Sequence, residues 1–184
     1  GAGGYAGVNA VFMAQSGITG APAETVQEDK INHCWNDLGE RWEIDAQYFK
    51  PWPVCRWAQP SLTAVTAMME QYPQIQGDNV EHVCVETFHE SMRLQGHFPA
   101  NADEAQYGLA FPLAALISRG QVGPAEVTGD AINAEDILQV SRLIEIVEAD
   151  DLSARFPEEI LSRVTIQLKE GQTLTSPIKI GRAH

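Results

Sequence analysis

The stretch VEHVCVETF at residues 80–88 alternates apolar and polar side chains and is rich in valine and threonine. Such alternation turns one side of the chain toward a core and the other toward water, which predicts a β-strand. A second stretch of this kind, RVTIQL at residues 163–168, is followed by KEGQ and then by TLTSPIKI at residues 173–180. A turn at Gly171 joins them, so residues 163–180 are predicted to form a β-hairpin.

The residues around these strands carry helical patterns. Apolar side chains recur every three or four positions over residues 61–71 and over residues 134–140, which predicts a helix at each. Residues 143–147 fit either a strand or a helix. RWEIDAQYF at residues 41–49 is predicted as a further strand. The predicted class is therefore α+β, with at least three strands in an antiparallel or mixed sheet and helices on one face.

One further helix is predicted to begin at a capping box. Asn101 and Glu104 have the required spacing, and the helical pattern runs on through residue 118. Gly120 is placed to end this helix. Because proline lacks a backbone N–H, Pro112 predicts either a kink or a late start of the helix.

The charge balance disfavours whole classes of partner. The 184 residues include 25 acidic and 12 basic side chains, for a formal net charge of −13. A chain of this charge repels phosphate overall, so we expect no nucleic-acid partner. No run approaches the ~20 consecutive apolar residues of a membrane span, so we expect no membrane partner either.

The cysteines and histidines give no metal or disulfide signature. The three cysteines, Cys34, Cys55 and Cys84, are too far apart in sequence for a paired-ligand motif, and their number is odd. His33, His97 and His184 have no metal-like spacing either. We therefore predict no metal and no cofactor. The absence of a charged and apolar leader, together with free thiols, predicts a cytoplasmic location.

Charge is unevenly distributed along the chain. Residues 126–159 carry ten acids against two arginines, which is most simply a solvated acidic face. Residues 46–69 contain Lys50 and Arg56 and no acid at all. These two cations flank a proline-stiffened aromatic run, where they are suited to holding a carboxylate. The alternative is a packing loop whose cations pair with distant carboxylates, and the spacing alone leaves both open.

His89 is the other candidate for chemistry. It directly follows the strand predicted at residues 80–88 and lies close to Arg93 in sequence. An imidazole at a strand end suits general acid or base work near neutral pH, although a lone histidine is more often structural. Cys55 lies beside Arg56, but no histidine is near it in sequence, so a nucleophilic cysteine is disfavoured.

Five ordered runs resemble the 2-methylcitrate dehydratase, or MmgE/PrpD, family. The signature is FKPWPVCRWAQPSLTAV at residues 49–65, and the resemblance covers most of the chain. The other four runs are SGITGAP (16–22), VCVETFHESM (83–92), ADEAQYGLAFPLAALISRG (102–120) and FPEEILSRVTIQLKEG (156–171).

The resemblance implies an architecture. Members of this family have a large all-helical domain and a smaller α+β lid domain, and they pair as homodimers through the helical domain. Residues 1–24, in which Tyr5, Val8 and Phe12 recur at helical spacing, correspond to the end of the helical domain, and residues 25–184 to the lid. By themselves, we expect these residues to be inactive.

The resemblance also implies a chemistry: metal-independent proton removal next to a carboxylate of a small di- or tricarboxylate. Lys50 corresponds to the family's lid lysine and is the predicted catalytic residue, with Arg56 as a second carboxylate clamp. His89 is predicted to be catalytic and Ser91 to bind substrate. The resemblance favours a lyase of the 2-methylcitrate dehydratase type. An isomerase or epimerase of a dicarboxylate such as iminodisuccinate, or a non-catalytic α+β module, is the alternative.

Two positions depart from the family pattern, and one aromatic residue is assigned to packing. Gln59 stands where many relatives have histidine, which disfavours proton transfer at that position. Gly108 replaces a common serine. Tyr107 is expected to pack against its helix rather than to touch a substrate.

Overall fold

Residues 1–181 are described here from a computed structural model. The chain divides into two compact units, of which the first covers residues 1–47 and the second begins at Tyr48. The first contains α1 (Ala2–Gln15), α2 (Glu24–Gln27) and two short 3-10 helices, Asp29–Trp35 and Glu43–Ala46. Along the whole described length of α1, no side chain is buried. The boundary predicted at residue 24 stays a prediction.

The second unit holds the sheet and its helices, which confirms the α+β class. Its α-helices are α3 (Gln59–Gln71), α4 (Ala102–Tyr107), α5 (Ala110–Arg119), α6 (Glu135–Ser141) and α7 (Asp150–Ser153). Its strands are β1 (Val80–Thr87), β2 (Ile144–Glu148), β3 (Leu161–Leu168), β4 (Thr173–Thr175) and β5 (Lys179–Ile180). Four short 3-10 helices connect them: Arg56–Ala58, His89–Leu94, Pro124–Glu126 and Gly129–Asn133.

The sheet is mixed, with strand order β2-β1-β3-β4, and β5 pairs with the start of β3. β1 runs parallel to β2 and antiparallel to β3. Alternate side chains such as Val83, Val85, Val164 and Ile166 are fully buried beneath α3 and α5, whereas His82 and its neighbours on the other face stay accessible. The helices therefore cover one face, as predicted.

Most elements predicted from local patterns are confirmed. The hairpin of β3 and β4 turns at Gly171, whose φ of 88° is the left-handed conformation that glycine adopts readily. In the stretch 143–147, which fitted either a strand or a helix, residues 144–147 belong to strand β2. The Asn101 side chain accepts a hydrogen bond from the Glu104 N–H at 2.9 Å, as the capping box requires.

Two predictions are corrected, and contacts that are distant in sequence explain the first. Residues 101–118 form two helices, because the backbone N–H groups of Leu109 and Ala110 donate to the carbonyls of Leu94 and Gln95 instead of continuing α4. Pro112 lies in the first turn of α5, so the late start is correct. The strand predicted at residues 41–49 is wrong. This stretch forms the 3-10 helix Glu43–Ala46, and no described strand pairs with it.

No helix within residues 1–181 combines the length and the apolar character needed to cross a lipid bilayer.

Candidate functional site

A loop of residues 48–58, here called the Lys50 loop, is held in shape by the side chain of Gln59. Gln59 is fully buried at the start of α3. Its Nε2 donates to the carbonyls of Trp52 at 3.1 Å and Val54 at 3.3 Å, and its Oε1 accepts from the Trp52 N–H at 3.4 Å. One buried amide thus satisfies backbone groups on both sides of Pro53, which fixes the loop.

Lys50 is exposed on this loop, and its side chain turns back toward the backbone. Its Nζ donates to the Val54 carbonyl at 2.9 Å, the same oxygen that Gln59 engages. Within residues 1–181, no carboxylate oxygen lies within 4 Å of Lys50 Nζ or of the Arg56 guanidinium. The described part of the chain therefore leaves both positive charges available to an anionic ligand.

Arg56 lies over an aromatic ring. Its guanidinium carbon is 5.1 Å from the centroid of the Tyr48 ring, at the other end of the Lys50 loop. Tyr48 is half-buried, and its hydroxyl has no hydrogen-bond partner among the described residues. Burial raises the pKa of Tyr48, although the positive charge of Arg56 opposes this. The guanidinium thus lies over the ring, and its N–H groups make no hydrogen bond or ion pair with the described residues.

An aromatic cluster joins the Lys50 loop to the segment that carries His89. The Trp57 ring meets Phe88 edge to face at 5.6 Å and Phe156 at 5.8 Å, and the last two rings stack at 4.6 Å. Phe88 is fully buried. Because Trp57 follows Arg56 and Phe88 precedes His89, the cluster packs the Trp57 end of the Lys50 loop against the segment from which His89 continues.

Buried hydroxyl groups also connect the start of α3 with strands β1 and β3. Ser61 Oγ donates to Ser162 Oγ at 3.0 Å, Ser162 Oγ to Thr87 Oγ1 at 3.4 Å, and Thr87 Oγ1 to the Leu161 carbonyl at 3.3 Å. The chain of hydroxyls ties the first turn of α3 to the ends of β3 and β1. All three hydroxyl residues are fully buried, so each hydrogen bond avoids an unsatisfied polar group.

His89 is held by two residues from the neighbouring strand and helix. Its Nδ1 lies 2.9 Å from Glu148 Oε2, at the last residue of β2. Its backbone N–H donates to Ser153 Oγ at 3.0 Å, and Ser153 Oγ in turn donates to Glu148 Oε1 at 3.0 Å. The parallel pairing of β1 with β2, in which Thr87 lies opposite Glu148, brings these groups together.

The electrostatics of this pair favour a charged imidazole. The hydrogen bond and the negative charge of Glu148 raise the pKa of His89, as does Glu90, whereas desolvation and the charge of Arg93 lower it. The pKa of Glu148 is lowered by its hydrogen bonds from His89 and Ser153. His89 therefore stays protonated to higher pH than a free histidine, which suits a general acid near neutral pH.

Ser91 lies in the same 3-10 helix as His89 but points inward. It is fully buried, and its hydroxyl has no hydrogen-bond partner among the described residues. In this conformation the hydroxyl presents no surface to a ligand. The substrate-binding role of Ser91 stays a prediction.

Three residues of this region were missed from the sequence. Glu148 and Ser153 fall in the segment expected to be a solvated acidic face. Glu148 is exposed as expected but also binds His89, and the expectation fails at Glu126, which is 5% exposed. Gln59 was considered only for proton transfer. A strand that ends at Glu148 and runs parallel to β1 would have indicated that Glu148 lies near His89. Because the pattern of residues 143–147 fits a strand and a helix equally, the sequence does not predict this contact.

The second unit has two smaller clefts. A cleft of about 520 Å³ is lined by Pro51 and Trp52, next to Lys50, and one of about 420 Å³ is lined by Arg93 and by Tyr107. Tyr107 is 65% exposed, so the expectation that it packs against its helix is wrong.

A larger cleft, of about 1170 Å³, lies among the ends of α3, α5 and α6 and is here called the Arg119 cleft. No described residue that lines it belongs to the Lys50 loop.

The histidines, cysteines and carboxylates form no cluster of three or more that suits a metal ion within residues 1–181. His184 lies outside the described residues.

Comparison with known proteins identifies the family. The family model of the MmgE/PrpD C-terminal domain matches residues 52–184, well over half of the chain. No curated protein matches the chain. The match includes most of the Lys50 loop and all of the sheet, together with His89, Glu148 and Ser153. The chain therefore belongs to the MmgE/PrpD family, whose C-terminal domain its residues 52–184 form.

Proposed function

We propose that the full-length protein is a metal-independent lyase that dehydrates a small hydroxy-di- or tricarboxylate, as 2-methylcitrate dehydratase does. The observation that carries the proposal is the pair of cations on the Lys50 loop, which no described carboxylate neutralises in a chain of net charge −13. Membership of a family with dehydratase-like enzymes supports the reaction class. The uncompensated cations support a substrate with more than one carboxylate.

Lys50 and Arg56 would hold the substrate. One of the three Nζ donors of Lys50 is used by the Val54 carbonyl, which leaves two for a carboxylate oxygen. When the α-proton leaves, negative charge spreads into that carboxylate, and a fixed ammonium stabilises it more than it stabilises the ground state. Arg56 would bind a second carboxylate through its guanidinium N–H groups.

His89 would protonate the departing hydroxyl group. In a dehydration, a base takes the α-proton, the electron pair forms the C=C bond, and the C–O bond breaks as oxygen accepts a proton to leave as water. His89 carries that proton on Nε2 when charged, since its Nδ1 faces Glu148. We assign the base to the large helical domain that the family resemblance implies.

Substitution of Lys50 tests the proposal. In the full-length enzyme, Lys50→Ala should lower kcat/KM for a hydroxytricarboxylate about 100-fold or more, as loss of a transition-state electrostatic contact does. Lys169→Ala is the matched control, because Lys169 also donates to a backbone carbonyl, that of Asp78, but lines the Arg119 cleft. Full activity in the Lys50→Ala enzyme, or equal losses in both variants, would contradict the proposal.

An isomerase or epimerase of a dicarboxylate is a second candidate, because the same two cations would stabilise the same α-carbanion. NMR of the reaction in deuterated water separates the two. Deuterium at the α-carbon without an alkene product indicates the isomerase, and an alkene with release of water indicates the lyase. If neither product forms and millimolar citrate leaves the melting temperature unchanged, a non-catalytic module is indicated.

We also propose that the protein acts as a homodimer in the cytoplasm. The family resemblance supports the dimer, and the free thiols of the described cysteines support a reducing compartment. Sedimentation of the full-length protein would test the dimer.

A further inference from the structure

We propose that Glu148 and Ser153 are positioning residues that fix the backbone and the imidazole of His89, leaving Nε2 as its one reactive nitrogen. This inference rests on the proposed function, since it assigns a purpose to the orientation of His89. It is carried by the geometry of the three residues, which belong to three different elements of the fold.

The hydrogen bonds form a closed ring. The His89 backbone N–H donates to Ser153 Oγ, Ser153 Oγ donates to Glu148 Oε1, and Glu148 Oε2 engages His89 Nδ1, with distances between 2.9 and 3.0 Å. His89 takes part in the ring twice, through its backbone N–H and through its side-chain Nδ1. Both ends of the residue are therefore fixed by one carboxylate and one hydroxyl.

The carboxylate also fixes the tautomer. An ionised Glu148 only accepts hydrogen bonds, so His89 Nδ1 must carry a proton whether the imidazole is neutral or charged. Proton exchange is then confined to Nε2. A catalytic histidine needs this restriction because the wrong tautomer presents no acceptor to the reacting group.

The residues that hold His89 belong to regular secondary structure. Glu148 closes β2, whose pairing with β1 extends to Thr87 opposite Glu148. The Ala149 N–H continues the ladder by donating to the Thr87 carbonyl at 2.9 Å, and α7 starts directly after it. Sites supported by strands and helices keep their geometry better than sites on free loops.

A surface histidine has little structural need for such fixation. The His89 side chain is 62% exposed, so the ring of hydrogen bonds restrains an imidazole that water would otherwise solvate. His82 provides the contrast. Its Nε2 lies 3.3 Å from Glu145 on the open face of the sheet, and no described side-chain hydroxyl bonds to Glu145 or to the His82 backbone. A histidine–glutamate pair is therefore part of a closed ring of hydrogen bonds at His89 and Glu148 but not at His82 and Glu145.

The charged groups that act on His89 are Glu148 from β2 and Glu90 and Arg93 from its own 3-10 helix. Glu90 and Arg93 oppose each other, so removal of the Glu148 charge is the clean perturbation. In Glu148→Gln, the amide keeps the shape but loses the charge and the fixed acceptor.

NMR of ¹⁵N-labelled imidazole in the 184-residue chain tests the positioning directly. Glu148→Gln should lower the titration midpoint of His89 and increase the fraction of its neutral form that is protonated on Nε2. Glu145→Gln is the matched control and should leave both His89 signals unchanged. Unchanged His89 signals in Glu148→Gln overturn the proposal. Ser153→Ala should also loosen the tautomer preference while keeping the charge of Glu148, which separates positioning from electrostatics.

Kinetics of the full-length enzyme provide the second readout. Glu148→Gln should lower kcat on the order of tenfold with little change in KM, and the loss of activity at high pH should begin at lower pH. The outcomes separate the two proposals. NMR changes without any lyase activity support the positioning and reject the proposed function. Lyase activity with an unchanged kcat and pH profile in Glu148→Gln overturns the positioning role.

Discussion

The Lys50 loop and the Arg119 cleft are both bordered by cations but differ in what happens to the charge. In the Arg119 cleft, Arg119 forms two hydrogen bonds to Asp136 at 2.8 and 3.0 Å, and Arg142 pairs with Glu135 at 2.7 Å. Both arginines of the Arg119 cleft are therefore paired with carboxylates, and of its cations only Lys169, which donates to the Asp78 carbonyl, has no described carboxylate partner. On the Lys50 loop, both cations lack a described carboxylate partner.

This difference shows that cavity size and the availability of positive charge point to different places in this fold. A carboxylate ligand would have to displace an existing ion pair to bind Arg119 or Arg142. At the Lys50 loop it would displace only water. If available charge rather than cavity volume determines where substrate binds, substitutions on the Lys50 loop should lower activity more than substitutions in the Arg119 cleft.

After Lys50→Ala, the next largest effect is expected from Arg56, the second cation of the Lys50 loop. In the full-length enzyme, Arg56→Ala should lower kcat/KM about 10-fold to 100-fold, because a hydrogen bond to a charged group contributes about 1.5 to 3 kcal/mol. Steady-state kinetics on a hydroxytricarboxylate measures this. Arg142→Ala, which removes an arginine of the Arg119 cleft, should keep wild-type kinetics. A greater loss in Arg142→Ala than in Arg56→Ala would move the site to the other end of the sheet.

The shape of the Lys50 loop should depend on Gln59. Gln59→Leu keeps the volume but leaves the Trp52 and Val54 carbonyls without their buried donor, which should lower the free energy of unfolding by about 1 to 3 kcal/mol. Urea denaturation of the 184-residue chain measures the loss. Gln71→Leu, at the exposed end of the same helix, should change stability by less than about 0.5 kcal/mol. Equal stability of the two variants would show that the loop does not need its buried amide.

The ion pair of the Arg119 cleft should contribute to stability and not to activity. Arg119→Ala should lower the free energy of unfolding by about 0.2 to 1 kcal/mol, since Arg119 and Asp136 are both partly solvated. The difference should shrink in 1 M salt, which screens exposed charges. Activity equal to wild type is expected, and a large loss of kcat/KM would show that this cleft binds substrate.

Local patterns predicted the elements that depend on neighbours in sequence. The alternation in residues 80–88, the hairpin at Gly171 and the capping box at Asn101 are all confirmed, because each is determined within a few residues. The absence of acidic residues around Lys50 could also be read from the sequence, because it concerns neighbouring residues only. The two cations of the Lys50 loop have no described ion-pair partner in the structure.

Contacts between distant residues explain what was missed. The helix break at Gly108 arises where the Gly96 backbone passes so closely that an added Cβ on Gly96 would lie 2.4 Å from Gly108 Cα. Glu148 reaches His89 only through the parallel pairing of β1 and β2, which no local pattern specifies. The burial of Ser91 likewise depends on packing against elements far along the chain.

The smallest expected effect is a difference in how the free energy of unfolding depends on pH. It compares the His89–Glu148 pair with the Arg119–Asp136 pair. The pKa of His89 is raised by Glu148, so its contribution to stability is present at low pH and disappears as pH rises through the folded-state pKa of His89. The pKa of Glu148 is lowered, so its contribution disappears as pH falls through its folded-state pKa. The pair should therefore stabilise the chain only between the titration ranges of a carboxyl and an imidazole.

The Arg119–Asp136 pair should behave differently on the alkaline side. The pKa of Asp136 is lowered by Arg119, and the arginine stays charged throughout the accessible range, so this contribution is lost only in acid. Urea denaturation of wild type, Glu148→Gln and Asp136→Asn at several pH values measures both. The stability lost in Glu148→Gln should pass through a maximum between the two ranges and fall again above neutral pH. The loss in Asp136→Asn should stay level there. Two level profiles above neutral pH would mean that His89 is not coupled to Glu148 in solution, and the contrast between a titratable pair at the Lys50 end and a permanent one at the Arg119 end would fail.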